Sequence, residues 1–478
     1  MNISKKQMAK IVLLLALLFL LLPSSLRAIK SNVYLMGDES YYHARIAKEM
    51  IEEGLLEKDS YVFNARDYVL NPYHVLLAGF ALLFGVLTAS KLLPLLLGLL
   101  CVYLFYAILK DLKIDPLVRF AASGIFILSP VFIYAFNISG SACFILSLNL
   151  AGLFFLMKKS KASTFVSLLC FGIASMFGIL HALVSAVIVL LYSFCFKRRL
   201  KKGYLILAAV VFVMLSYSLP VYLNLEKVVF ASPDKLSSFV ADIGGIAGFS
   251  IFAVLLAVLG YVLVWRYKKK YYFIYVFSFL LIVYSFFNNS LLIYSNIVLA
   301  FLAGVAFTNL AKMRWKLKVL RNFTLLILFC GLLFSAVNAS VALQDIQPSP
   351  TLINGLIWLN LNSGEEERVF SHYSNGFWIE FISDRPVILD GLLEQTPNVN
   401  NLYFDSNELF QTTDIDLARK ILSKYDVKYI VITDNMRKGL VWDKEGKGLD
   451  FLLSNAETFK KVQENSYVTI YEYVYGGL

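Results

Sequence analysis

Apolar residues run through this chain in stretches long enough to cross a bilayer, broken by short basic clusters and three longer polar segments. The first run, Ile11 to about Leu26, follows Lys5, Lys6 and Lys10. No A-x-A cleavage site comes after it, so it reads as a retained signal-anchor. Further runs of roughly the 17–25 residues that span a hydrocarbon core fall at about 90–109, 117–135, 141–157, 163–180, 182–196, 203–222, 244–264, 271–287, 290–309 and 321–341. One apolar piece, "YHVLLAGFALLFGV" from Tyr73, is shorter and carries His74 and two glycines. It is expected to lie in the interface or to re-enter.

Charge then sets orientation. With the short piece left out of the count, six basic clusters share one side: Lys5–Lys10, "KDLK" with Arg119, "KKSK", "KRRLKK", "RYKKK" and "KMRWKLKVLR". The positive-inside rule makes that side cytoplasmic. The expected architecture is a polytopic α-helical membrane protein of about eleven spans, with the N-terminus in the cytoplasm and the C-terminus outside. Residues 1–342 form the membrane domain. Three polar segments face outward: a first loop over 28–89, a second over 223–243, and a soluble tail from Leu343 to Leu478.

The tail changes pattern. "RVFSHYSNGFWIEFIS" predicts strand, loop and helix, and "RPVILDG" a short buried strand. "DLARKILSKYDVKYIVITD" predicts a helix followed by a strand, and "SYVTIYEYVY" a late strand. The mixture predicts an extracytoplasmic α/β domain.

Composition agrees with the membrane reading: 59% of the 478 residues are hydrophobic and 16% charged. The net charge of +11 suggests nucleic acid until it is divided. The tail from Leu343 carries 12 Lys/Arg against 20 Asp/Glu, and the rest 32 against 13, packed into the clusters between spans. Membrane topology accounts for this excess, and no nucleic-acid partner is needed. All five cysteines lie in apolar stretches, which excludes a disulfide framework or a CxxC metal motif in the tail.

Candidate chemistry concentrates in "DESYYHARIAKEMIEEG", just after the first span. Tyr42, Ile46, Ala47, Met50, Ile51 and Leu55 recur at helical spacing, so the segment predicts an amphipathic helix lying on the outer membrane face, with Gly54 as its stop. Asp38 and Glu39 begin it, and His43 shares the face of Glu39. A helix cap with a dipole-matched acid would explain both carboxylates. The alternative is chemical. A carboxylate pair can bind a hard divalent cation such as Mg²⁺ or Mn²⁺, or take a proton from an acceptor. Arg45, Arg66 and Arg385 are candidates for a lipid phosphate, Asp242 is a candidate to act with the pair, and all four histidines (His43, His74, His181, His372) lie at or near the outer side.

This motif resembles the first outer-loop motif of GT-C membrane glycosyltransferases, and is most similar to that of the oligosaccharyltransferase catalytic subunit. The resemblance places Glu39 at the family's catalytic acid, with Asp38 as the matching acid of other members. Tyr41, Tyr42, His43 and Arg45 follow. It continues through "LSPVFIYAFNISG" and returns in the tail at "RVFSHYSNGFWIEFISDRPVILDG". It implies transfer of a sugar or oligosaccharide from a polyprenyl-phosphate-linked donor in the bilayer to an extracytoplasmic acceptor. Asp38 and Glu39 would be catalytic, Glu39 a metal ligand, and Tyr42, His43, Arg45, His74, His372, Tyr373 and Asn375 would bind substrates. Two departures stand out. The second loop reads "NISGSAC" without the family's acid, and the acceptor motif Trp-Trp-Asp-Tyr-Gly is replaced by His372-Tyr373-Ser374-Asn375-Gly376. A non-catalytic binder of lipid-linked glycans and a lipid or glycan transporter are the competing classes. The transporter is disfavoured because the span interiors lack ionisable residues, with Asn149 and Asn296 the main polar exceptions.

Overall fold

The computed structural model describes residues 5–196, 200–226 and 235–474. Residues 197–199 of one basic cluster and 227–234 of the second outer loop therefore lie outside the described residues. Five described helices are long and apolar enough to cross a membrane: Gln7–Ile29, Val86–Asp111, Leu200–Leu223, Asn289–Lys312 and Lys318–Gln344. Seven shorter apolar helices accompany them. The run expected at 117–135 is split: Pro116–Ile127 ends at Leu128 and a second helix restarts at Pro130. Proline has no N–H to continue the ladder but suits a first helical turn.

The first loop is built from two helices and a short hairpin. The motif helix, Glu39–Glu52, starts on Asp38, whose side chain accepts from the Glu39 N–H, and the chain leaves it through Gly54 at φ +91. The hairpin pairs Lys58–Asp59 with Arg66–Asp67. The interface helix, Pro72–Phe84, starts on Asn71, whose side chain accepts from the Tyr73 N–H at 2.9 Å. Its 13 residues rise about 20 Å, short of the ~30 Å hydrocarbon core. Gly85 at φ +76 then turns the chain into Val86–Asp111.

The amphipathic reading of the motif helix needs correcting. Ser40, Tyr41, His43, Ala44, Arg45, Ile46 and Ala47 are all buried, while Ile51 and Leu55 are exposed. The reason is a second covering layer. Ala47 packs into the membrane-side core with Tyr73 and Leu77, whereas Tyr41 and Ala44 pack with Phe377, Trp378 and Ile379 from the tail. The first two turns are thus sandwiched, and the apolar stripe is not laid on lipid.

In the tail, strand Arg368–Phe370 runs parallel to Val427–Thr433, which pairs antiparallel with Val468–Tyr473 and through it with Phe459–Glu464. Helices Pro350–Asn362, Val399–Gln411 and Ile415–Lys424 complete this region. The expected strand "RPVILDG" is reduced to isolated bridges from Val387 to Val62 and Val369. Its Asp390 serves an ion-pair network described below.

Candidate functional site

Asp38 and Glu39 are both solvent-accessible at the start of the motif helix. Asp38 is nevertheless surrounded by protein closely enough that burial, with Glu39 next to it, lifts its carboxyl above the ordinary range. Asp38 is thus partly enclosed by protein while still reaching solvent. Asp38 Oδ1 accepts from the Glu39 N–H at 2.9 Å, so the capping role is real. The Glu39 carboxylate is free of that duty.

A chain of polar side chains ends on Glu39. The Asn71 N–H donates to the Tyr68 hydroxyl oxygen, and that hydroxyl lies 2.7 Å from His74 Nδ1. His74 Nε2 lies 2.6 Å from His43 Nδ1, and His43 Nε2 lies 3.3 Å from Glu39 Oε1. One polarity fits every link: Tyr68 O–H donates to His74, His74 Nε2–H to His43, and His43 Nε2–H to the carboxylate. Burial and the neighbouring His43 hold the His74 imidazole well below its usual pKa, which keeps it neutral. Both rings are almost fully buried, so the chain orients the carboxylate rigidly. The ring of Tyr42 closes the side facing the tail, 5.4 Å from His74 and 5.0 Å from Phe377.

The 137–143 loop, "NISGSAC", meets Glu39 with backbone. A Cβ on Gly140 would stand 2.6 Å from Glu39 Oε1, so the glycine allows the carboxylate to lie against the loop where a side chain would displace it. The same loop is tied to the motif helix by the Ser139 N–H donating to Ser40 Oγ at 2.9 Å, and to the interface helix by Ser139 and Tyr73 hydroxyls 2.8 Å apart.

Arg45 and Arg66 are not available to a substrate phosphate. Asp59 Oδ2 accepts from Arg45 at 2.8 Å and from two nitrogens of Arg66 at 2.6 and 3.0 Å. Arg66 also pairs with Asp390 at 2.6 Å, and Arg45 lies 3.1 Å from Glu380. The two arginines hold Asp59 far below the usual carboxylate range. Burial, reinforced by Asp390 and Asp59, pushes Glu380 well above it despite Arg45, towards its protonated form. This network joins the first loop to the tail. Arg385 is structural as well, donating to Ser363 Oγ and to three carbonyls.

The remaining sequence candidates lie apart from Glu39. His372 caps a short turn through Ser374, and its ring lies tilted against Tyr373 with centroids 4.2 Å apart. Burial takes its pKa down to about 4. Asn375 is buried and donates to Ser371 Oγ and Met436 Sδ. The tail segment that reaches the motif helix is 377–381, through Tyr42–Phe377 and Tyr41–Phe381 ring contacts. Asp242 accepts from the Ile251 N–H and from Ser335 Oγ, and His181 lies 3.0 Å from the Tyr294 hydroxyl.

Among the described residues no three His, Cys, Asp or Glu side chains are grouped as a cation site. Asp38 is engaged as a cap and Glu39 faces a glycine where a second acid would be needed. This donor set does not fit a resident Mg²⁺ or Mn²⁺, and the chemistry below is derived without one.

Asp59, Glu380, Asp390, Tyr68 and Gly140 were not singled out by sequence reasoning. Glu380, Asp390 and Gly140 meet partners far away in the chain, Arg66 and Asp390 by 324 positions, while Asp59 and Tyr68 meet Arg66 and His74 across 7 and 6 positions through loop backbone that no local periodicity describes.

No protein-family model and no curated protein sequence matches the chain. Solved structures do. The archaeal oligosaccharyltransferase AglB of Archaeoglobus fulgidus, in complex with an inhibitory peptide and a dolichol-phosphate, superposes with a TM-score of 0.64 at 14% identity, over 90% of this chain and 70% of that one. ArnT from Cupriavidus metallidurans bound to undecaprenyl phosphate gives 0.53 at 13% identity, over 97% and 98%. The arabinofuranosyltransferase AftD from Mycobacteria gives 0.64 at 13% identity, over 98% of this chain and 40% of the longer AftD. The chain therefore has the GT-C fold shared by these membrane glycosyltransferases, and resembles the oligosaccharyltransferase catalytic subunit among them.

Proposed function

We propose that the protein is a membrane glycosyltransferase that moves a sugar or oligosaccharide from a polyprenyl-phosphate-linked donor to an acceptor outside the cytoplasm. Its helices make about eleven spans. The tail from Leu343 is an extracytoplasmic domain docked on the first loop. The observation that carries the reading is the chain Tyr68–His74–His43, whose two histidines are buried and whose tyrosine is half-buried, and which ends on an accessible Glu39 in the first loop. A helix cap has no use for it, because Asp38 supplies the cap.

Glu39 then takes the proton of the acceptor hydroxyl or amide. The freed oxygen or nitrogen forms a bond to the anomeric carbon, and the bond from that carbon to the phosphate oxygen breaks. The electron pair leaves on the polyprenyl phosphate. His43 and His74 touch no reacting atom, and they act by holding the Glu39 carboxylate. Fold likeness to the neighbours supports the donor class, since two of them are complexes with polyprenyl phosphates.

A non-catalytic relative is the second reading, favoured by Gly140, which meets Glu39 in the loop where the family carries an acid. The test is to delete the protein from cells, profile extracellular glycans and glycolipids, and complement with wild type, Glu39→Ala or Asp38→Ala. Loss of a glycan restored by wild type and not by Glu39→Ala supports the enzyme. Restoration by Glu39→Ala supports the binder.

A further inference from the structure

A cavity of about 130 Å³ lies between the ends of helices Lys5–Ile29 and Val86–Asp111, beside the segment leading into the motif helix. It is separate from the His74 chain. Arg27 and Lys91 bring its positive charge, hydroxyl and amide side chains such as Ser90, Asn32 and Asn137 line the rest, and no carboxylate is among its described lining residues. Arg27 is buried and donates to the carbonyls of Leu35, Gln344, Ile346 and Pro348, and the one carboxylate acting on it, Asp345, is itself paired with Lys30 at 2.6 Å. Its Nε, and the Oγ of the equally buried Ser90, have no hydrogen-bond partner among the described residues. Lys91 donates to the Val33 carbonyl and forms no ion pair with a described residue.

A buried arginine held by carbonyls, a lysine with no described ion-pair partner, two orphaned donors and room for a small ligand describe an anion site. Basic residues at the end of a span on the Glu39 side also run against the bias that sends them to the cytoplasm. We infer that this cavity binds the phosphate of an anionic phospholipid headgroup from the leaflet on the Glu39 side. Arg27 Nε, Ser90 Oγ and the Lys91 ammonium contact the phosphate oxygens. The source is a membrane lipid because Leu92 and Leu96, which follow Lys91 into the same helix, are exposed. On a spanning helix those side chains meet acyl chains, which places the ammonium at headgroup depth. A zwitterionic headgroup would bring its own cation towards Arg27 and Lys91, so the anionic class is preferred. The site goes beyond the glycosyl-transfer reading and stands without it.

The full-length protein, reconstituted in phosphatidylcholine nanodiscs containing a minor share of phosphatidylglycerol, is extracted and its retained lipids counted by native mass spectrometry. Wild type is expected to retain phosphatidylglycerol over phosphatidylcholine. Lys91→Glu and Ser90→Ala are expected to lower that retention, Lys91→Glu by roughly tenfold or more. Lys91 is exposed, so its variant folds, and the size-exclusion profile checks this. Equal retention of both lipids by wild type overturns the proposal, as does Lys91→Glu that retains phosphatidylglycerol like wild type. Displacement of the lipid by inorganic phosphate, with no headgroup preference, would assign the site to a free anion and overturn the lipid assignment.

Discussion

Replacing Asp59 by alanine tests whether the first loop is locked to the tail by charge. One oxygen of this buried residue accepts three N–H groups from Arg45 and Arg66. Removing one member of a buried ion cluster costs about 3–5 kcal/mol, because the remaining charges stay desolvated. Here a reserve exists. Burial and the neighbouring acids push the Glu380 carboxyl well above the ordinary range, towards its protonated form, and it lies 3.1 Å from Arg45. When Asp59 is gone, Glu380 ionises against Arg45 and offsets part of the loss. Asp59→Ala is therefore expected near the lower bound, about 3 kcal/mol, or a hundredfold increase in local opening. Glu380→Gln alone exchanges an acid pushed towards protonation for a neutral amide and should cost under about 1 kcal/mol. The double variant loses the reserve and should exceed the sum of the two by about 2 kcal/mol. Hydrogen exchange of peptides covering residues 57–68 in the solubilised protein reads each opening constant. Additive effects, or less than tenfold faster exchange in Asp59→Ala, would refute the reasoning. The sign of the pH dependence is also fixed. Asp59 is depressed, so its stabilisation is present above about pH 4, the unfolded value, and is lost as pH falls through its lower native value.

Gly140→Ala should fold normally, since the added Cβ meets only the flexible end of Glu39. It displaces the carboxylate, and transfer activity should fall by about a hundredfold. His74→Phe should lower kcat with KM for the donor unchanged, because His74 positions Glu39 without touching substrate. His74 is held neutral, so its native contribution is present above about pH 6.5 and weakens as pH falls below it. The thermal midpoint of wild type should drop on acidification through that range, and that of His74→Phe should drop less. Arg385→Ala should loosen the tail, by about 2–3 kcal/mol for its lost charge-assisted bonds, and leave KM unchanged. A rise in KM would instead return Arg385 to the substrate site.

Local signals in the sequence carried a good deal of this structure. The cap–acid–helix–glycine order of residues 38–54 predicts the motif helix closely, because each part acts within a turn or two. The apolar runs likewise coincide with apolar helices. In the tail, helix Ile415–Lys424 and the strands Val427–Thr433 and Val468–Tyr473 appear where the periodicity puts them. What could not be read is long-range. Periodicity placed the first two turns of the motif helix on lipid because nothing in residues 38–55 reports that Phe377–Phe381 cover the other face. For Arg45 the i+4 partner Glu49, 2.7 Å away, is local, but the carboxylates that occupy the rest of Arg45 and all of Arg66 come from the hairpin and from the tail, the latter hundreds of residues on. Strand Phe459–Glu464, with its exposed lysines, lacks a strong apolar alternation and was missed. His43 and His74, expected at the substrate, stand in line behind Glu39, an arrangement that depends on two helices meeting.

The central claim is that Glu39, aimed by buried histidines, activates the acceptor. It is tested most directly by adding a labelled polyprenyl-phosphate sugar to membrane vesicles that hold wild type or Glu39→Gln in a strain lacking the native copy. Glu39→Gln keeps the shape and the contact with Gly140 but cannot take a proton. Label transfer to an extracytoplasmic acceptor should fall at least about a hundredfold with protein amount and thermal midpoint unchanged. Transfer by Glu39→Gln at the wild-type rate would contradict the account.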